Sequence, residues 1–194
     1  GLASGTTPRK LLKCVASIRE HSQIPIVLYI YFNLMHKPGL GKFISEAAEA
    51  GVDGLLALDL PPEEADEYEK LMQGSDLCSI WLVAPTTPKQ RVKEIVSRGS
   101  GFIYYISREG VTGMQQSVSE TIADMTGVIR SQTDLPIAVG FGISNPEQAW
   151  QVANCSDAIV VGSAIVNQIA EHGDTPEMPK RVAEYVKTLV EAIK

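Results

Sequence analysis

Two strand ends that finish in glycine carry the clearest chemical signal in this chain. Residues 136–142 read Pro-Ile-Ala-Val-Gly-Phe-Gly, and residues 158–164 read Ala-Ile-Val-Val-Gly-Ser-Ala. Each is a short apolar, β-branched run that ends in glycine and leads into a helix start. Gly140 and Gly142 carry no Cβ, so backbone N–H groups there can come close to a ligand. Ser144 or Asn145 can cap the next helix, Pro146 suits its first position, and Gln148 completes a capping box. Gly162 and Ser163 open a further short helix that includes Val166, Asn167, Gln168 and Ile169. Neighbouring strand ends backed by helix-start amides make a pocket for phosphate. A lone Gly-x-Gly is ordinary punctuation in an α/β chain. Two copies, one strand–helix unit apart, favour the phosphate reading.

Other candidates are weaker. Asp59 stands at a strand end, but general-base work needs a raised pKa and a partner. No second carboxylate is spaced to help it, and a turn or cap residue before Pro61 is the favoured reading. Residues 108–113, Arg-Glu-Gly-Val-Thr-Gly, are either a lid over substrate or a solvated turn. Tyr29, Tyr31, Leu56, Leu58, Leu82, Tyr104 and Phe141 lie on or just after strands. They could wall a site for a flat apolar group or simply fill a barrel core. No Ser/His/Asp or Cys/His arrangement stands out, and the scattered His21, His36 and His172 suggest no metal site.

Positioning these residues requires strands that alternate with helices. Helical spacing or capping predicts helices over residues 7–21, 39–50, 61–73, 88–97, 119–131, 146 onward, 164–171 and 179–193. Apolar runs at 24–31, 53–59, 78–85, 101–107 and the two glycine-ended stretches give about six strands. The run at 24–31 is apolar without a break, which predicts a parallel strand covered on both faces. Alternation of this kind means α/β with a parallel sheet. A doubly wound open sheet is the rival of a barrel, but it carries its phosphate signature at the first turn, not the last two units.

Bulk properties bound the partners. The chain has 194 residues, net charge −6 and pI near 5.1, which argues against nucleic acid as a partner. An anionic ligand must be held by local amides instead of an overall positive field. Hydrophobic residues make up 44% and charged ones 21%, an ordinary globular composition that suggests one domain. No apolar run approaches the ~20 residues of a membrane helix. Cys14, Cys78 and Cys155 are odd in number and widely spaced, so they read as buried free thiols of a reducing compartment.

Five stretches together resemble one family. They are residues 24–33 (Ile-Pro-Ile-Val-Leu-Tyr-Ile-Tyr-Phe-Asn), 51–54 with 59–61, 107–113 (Ser-Arg-Glu-Gly-Val-Thr-Gly), 140–144 with 146–148, and 162–166. In order and spacing they resemble the tryptophan synthase α subunit across essentially the whole chain. The resemblance implies a TIM (β/α)8 barrel of which this chain carries roughly six βα units, strands 3–8, as a single domain incomplete at its N-terminus. It implies a cytoplasmic lyase of tryptophan biosynthesis that cleaves indole-3-glycerol phosphate to indole and glyceraldehyde 3-phosphate. It implies no cofactor here, and a pyridoxal-phosphate-dependent β subunit as partner in an α2β2 heterotetramer, with no nucleic acid or membrane involved. Carried over, Gly113, Gly142, Gly162 and Ser163 would hold the phosphate. Tyr29, Leu56, Leu58, Leu82, Tyr104 and Phe141 would line the indole pocket. Arg108 and Thr112 would belong to the closing loop, and Asp59 to the partner face near the site. The family's catalytic Glu and Asp would lie upstream of Gly1, so none of these residues is expected to be catalytic and the chain alone is expected to be inactive. The alternatives are a non-catalytic phosphate-binding subunit that modulates a partner, or another phosphate-sugar barrel enzyme.

Overall fold

Thr7 and Pro8 begin the first helix as the capping pattern predicts: the Thr7 hydroxyl accepts the Lys10 N–H at 3.3 Å. The computed structural model describes residues 5–107, 115–140, 142–173 and 175–194, with side chains described outside 115–119. The order is α1 (Pro8–Arg19), β1 (Val27–Ile30), α2 (Phe32–His36), α3 (Leu40–Glu49), β2 (Gly54–Ala57), a 3-10 turn (Pro62–Glu64) and α4 (Asp66–Gln73). There follow β3 (Cys78–Ser79), β4 (Trp81–Val83), α5 (Lys89–Ser97), β5 (Ile103–Ile106), α6 (Gln115–Arg130) and β6 (Ile137–Gly140). The chain then gives α7 (Pro146–Ala153), β7 (Ala158–Val160), α8 (Ser163–His172) and α9 (Met178–Ala192). Two compact units result: Gly1–Leu82 with Arg98–Gly101, and Val83–Ser97 with Phe102–Lys194.

In the first unit, β1, β2 and β3 lie side by side, all parallel. Leu28, Ile30 and Leu55 are buried, as are Phe43, Ile44 and Ala47 of α3 and Tyr68 and Met72 of α4. Each of the Leu, Ile, Phe and Met side chains contributes about 1.5–3 kcal/mol of burial. The strand at 24–31 is not covered on both faces, however. Burial alternates along β1, and Tyr29 and Tyr31 are each more than half exposed. The run expected at 78–85 is broken at Ile80 into β3 and β4. The helix expected from Pro61 splits into the 3-10 turn and α4, and α2 was not anticipated at all. Cys14 is exposed and Cys78 and Cys155 are half-buried, which corrects the expectation of buried thiols.

In the second unit, β5, β6 and β7 run parallel in that order. Ile103, Tyr105, Ile122, Ile129, Ile137 and Val139 are all but fully buried. α9 packs on both α7 and α8.

One fastening occurs in both units at the N-terminal ends of strands. Arg19, the last residue of α1, donates to the carboxylate of Asp53, which in turn accepts the Ile26 N–H at 2.6 Å. Arg130, the last residue of α6, donates to Asp157 at 2.9 Å, and Asp157 accepts the Ile137 N–H at 2.8 Å. Each Asp precedes one strand (β2 or β7) and grips the chain entering its neighbour (β1 or β6). The same Asp donates its own N–H back, to Ile26 at 2.8 Å and to Ile137 at 3.0 Å.

Candidate functional site

Parallel pairing fixes where the glycines stand. In the β6–β7 register, Gly140 is opposite Val160. Gly142 lies two residues past the first and Gly162 two residues past the second. Both therefore sit on the same, C-terminal rim at matched positions. Gly142 has φ +57°, a left-handed conformation that disfavours any side chain with a Cβ. A Cβ added at Gly142 or Gly162 would meet nothing within 4 Å. Space is thus open above both.

Gly162 is the N-cap of α8 and no side chain caps this helix. The amides of its first turn, with Ser163 leading, face an exposed rim. Such a turn binds an oxyanion through N–H groups and the positive end of the helix dipole. Gly162 and Ser163, expected from the sequence to open a helix after the last strand, are found at the start of α8. α8 begins at Ser163, one residue earlier than the spacing predicted.

The loop that carries Gly142 is held from its downstream side. Asn145 caps α7, accepting the Gln148 N–H at 2.9 Å. Gln148 reaches back and accepts both the Ser144 N–H (2.9 Å) and its hydroxyl (3.1 Å). The Ser144 carbonyl accepts the Tyr185 hydroxyl of α9 at 2.9 Å. Ile143, between Gly142 and Ser144, is 1% exposed. Tyr185 recurs with Val182, Val186 and Leu189 at helical spacing in the last helix. Nothing local in it points to a bond 41 residues away.

Tyr104 and Gly140 meet. A Cβ built on Gly140 would lie 2.3 Å from the Tyr104 hydroxyl and 2.9 and 3.0 Å from two ring carbons. Tyr104 pairs with Ala138 in register, so its ring leans along the strand toward the rim and lies over Gly140. Bareness at Gly140 makes room for this phenol, whereas the openings for a ligand's oxyanion are at Gly142 and Gly162. Tyr104 is half-buried.

The other expected walls fall in the first unit. Tyr29 pairs with Leu56, which puts both on one face of the sheet. Leu56 is buried and Tyr29 is 54% exposed. Burial, with Tyr31 adding to it, raises the Tyr29 phenol above its ordinary value and keeps it protonated at neutral pH. Leu58 is half-buried in the turn after β2, and its N–H donates to Ile30 at 3.0 Å. Leu82, in the middle of β4, is half-buried. Asp59 is exposed and accepts the Phe32 N–H at 2.6 Å. It thus caps the first turn of α2, a helix from a different stretch of chain, which is the capping behaviour a short acid favours. Arg108, Thr112, Gly113 and Phe141 lie outside the described residues.

Acid–base machinery is sparse. Burial pushes the Tyr68 phenol up to about 12, so it stays neutral across the working range. Among the described residues no cluster of His, Cys, Asp and Glu could hold a metal ion, and no helix is long and apolar enough to cross a membrane. The arrangement suits binding of a phosphorylated small molecule through main-chain amides, with Tyr104 beside them.

The chain also resembles known proteins in sequence and fold. The sequence model of the family "Tryptophan synthase alpha chain" matches residues 1–194. The tryptophan synthase alpha chain of Opitutus terrae is 49% identical over 176 residues, which cover 91% of this chain and 66% of the relative. That of Geotalea daltonii is 44% identical over 193 residues, covering 100% of this chain and 71% of the relative. This chain thus spans roughly two thirds of their length. Among solved structures, the tryptophan synthase a2b2 complex of Pyrococcus furiosus aligns with TM-score 0.89 at 33% identity, covering 98% of this chain and 76% of the other. The alpha chain of Legionella pneumophila aligns with TM-score 0.87 at 33% identity, covering 99% and 71%. These neighbours are TIM barrels, so the parallel strands and helices described above are those of that fold.

Proposed function

The chain belongs to the tryptophan synthase alpha chain family, the lyase that cleaves indole-3-glycerol phosphate in tryptophan biosynthesis, and we propose that its residues supply the binding half of that reaction. The phosphate is held by main-chain amides of Gly142, Gly162 and Ser163, with Gly113 completing the set. One observation carries this reading: the β6–β7 register sets Gly142 and Gly162 at equal distances beyond a paired strand end, with the first turn of α8 uncapped. The residues assigned to indole recognition are Tyr104 and Phe141, with Tyr29, Leu56, Leu58 and Leu82. Arg108 and Thr112 belong to the loop that closes over the substrate. Held at both ends, the substrate presents the bond between indole and the glycerol chain for an aldol-type cleavage. The carboxylates that move protons in that step are assigned to none of these 194 residues.

The subunit itself calls on no cofactor, and pyridoxal phosphate belongs to a β subunit that receives indole. The Pyrococcus furiosus neighbour is a solved a2b2 complex, which supports the same assembly for this protein, with Asp59 near the shared face. We read the chain as belonging to one barrel domain of a protein that works in the cytoplasm.

Gly162→Ala tests the phosphate assignment. Its φ is −112° and the new methyl meets no protein atom within 4 Å, so folding is spared. Stability should fall by no more than about 1 kcal/mol, the difference between glycine and alanine at an N-cap. Glycerol 3-phosphate should bind about ten-fold more weakly, measured by calorimetry, because the methyl stands where phosphate oxygens would sit. A folded variant with undiminished affinity would sink the assignment.

A further inference from the structure

We propose that Tyr185 of α9 is a positioning residue for the substrate's phosphate, acting through Ser144 on the Gly142 loop; this rests on the phosphate reading above. Tyr185 lies on α9, well away in sequence from the strand ends, and nothing in its own stretch marks it as functional. Its hydroxyl donates to the Ser144 carbonyl at 2.9 Å. The same residue is gripped on its other polar groups by Gln148, at 2.9 Å through the N–H and 3.1 Å through the hydroxyl. Ser144 thus has every polar group engaged. Ile143 is buried to 1% exposure, so the one residue between Ser144 and Gly142 cannot swing. Gly142 itself has no side chain and occupies the left-handed region. Left alone, a glycine is the most freely moving residue of the chain, and an amide that must be ordered on binding weakens the complex. The three bonds to Ser144 remove that freedom in advance.

The packing of α9 adds to the argument. This helix lies on both α7 and α8, the helices that begin at the two glycine loops. Leu189, one helical turn beyond Tyr185, is buried to 3% and anchors it. The phenol is held half-buried, and burial raises its pKa, so it remains a donor throughout the neutral range. α9 therefore joins the two halves of the oxyanion site by packing and fixes one of them by a directed hydrogen bond.

Tyr185→Phe removes only the donor. It should be measured in the protein at its native length, assembled with its partner, by steady-state cleavage of indole-3-glycerol phosphate and by glycerol 3-phosphate calorimetry. KM and the glycerol 3-phosphate dissociation constant should each rise about three- to ten-fold, the worth of one hydrogen bond, while kcat at saturation holds. A structural role alone would lower the unfolding temperature and leave both constants in place. Gln148→Ala provides the second arm. If both residues act through Ser144, the double variant should weaken binding by clearly less or more than the product of the single effects. Wild-type protein with no saturable glycerol 3-phosphate binding would overturn the phosphate reading and this inference together. Wild-type binding with an unchanged Tyr185→Phe constant, or strictly independent effects of the two substitutions, would overturn this inference alone.

Discussion

Adding a methyl group at Gly140 is the most confined perturbation this chain offers, because the contact it makes is with one side chain. The new Cβ would lie 2.3 Å from the Tyr104 hydroxyl, far inside van der Waals contact. The strand is buried on every residue, so the backbone cannot yield cheaply and the phenol must turn away. Gly140→Ala should therefore cost about 1–3 kcal/mol of stability and should weaken binding of an indole analogue at the same time. Tyr104→Ala, which removes the obstructing ring, should recover much of the stability lost in Gly140→Ala. A urea double-mutant cycle reads this coupling, and additive effects would mean the ring has another way to move. Gly142 obeys a different rule, since its neighbourhood is empty and only its φ of +57° demands glycine. The sequence shows glycine at both positions. It does not tell a steric need from a conformational one, because the atom that fills the space comes from another strand.

Among elements, the Arg–Asp fastenings at the N-terminal strand ends are comparable in design and unequal in strength. The Arg19 side chain is 16% exposed and also donates to Gly51 at 2.7 Å and Ile24 at 2.6 Å. The Arg130 side chain is 49% exposed. Arg19→Met should cost about 1–2 kcal/mol, since a largely buried guanidinium loses several hydrogen bonds at once, whereas Arg130→Met should cost less than about 1 kcal/mol. Denaturant midpoints decide the order. The bond from Arg130, and after it the Ile137 N–H, holds the Asp157 carboxyl below its ordinary value. A depressed folded pKa makes a contribution that is present above the unfolded value, near 4, and is lost as pH falls through the folded one. The stability gap between wild type and Asp157→Asn should accordingly be constant at neutral pH and shrink below about pH 4. Most elements were legible in the sequence: α3, α5, α8 and α9 fall within a residue or two of the predicted spans, and the Asn145–Pro146–Gln148 cap formed as its chemistry requires. What was not legible depends on distant partners. α2 exists with Asp59 as its cap, 27 residues from the N–H it serves. Likewise Ile80 interrupts the run at 78–85 with no glycine, proline, asparagine or aspartate beside it.

At the scale of the whole molecule, net charge −6 sets how an anion is received. A site made of amides has no long-range field to draw phosphate in, and the protein's own charge opposes its approach. Salt screens that repulsion, with a Debye length of about 10 Å at 0.1 M. Raising ionic strength from about 0.02 to about 0.2 M with chloride, which is weakly held, should leave glycerol 3-phosphate affinity unchanged or slightly higher. A steep loss, as at sites built on lysine and arginine, would show that cationic side chains dominate. The strand ends also divide their labour. The Arg–Asp–amide fastenings grip where strands enter, while the open glycines and the uncapped turn of α8 stand where strands leave. A change of loop at the mouth leaves those grips intact. The scaffold can therefore accept changes at its rim without being rebuilt, and its rim loops should drift faster over evolutionary time than its architecture.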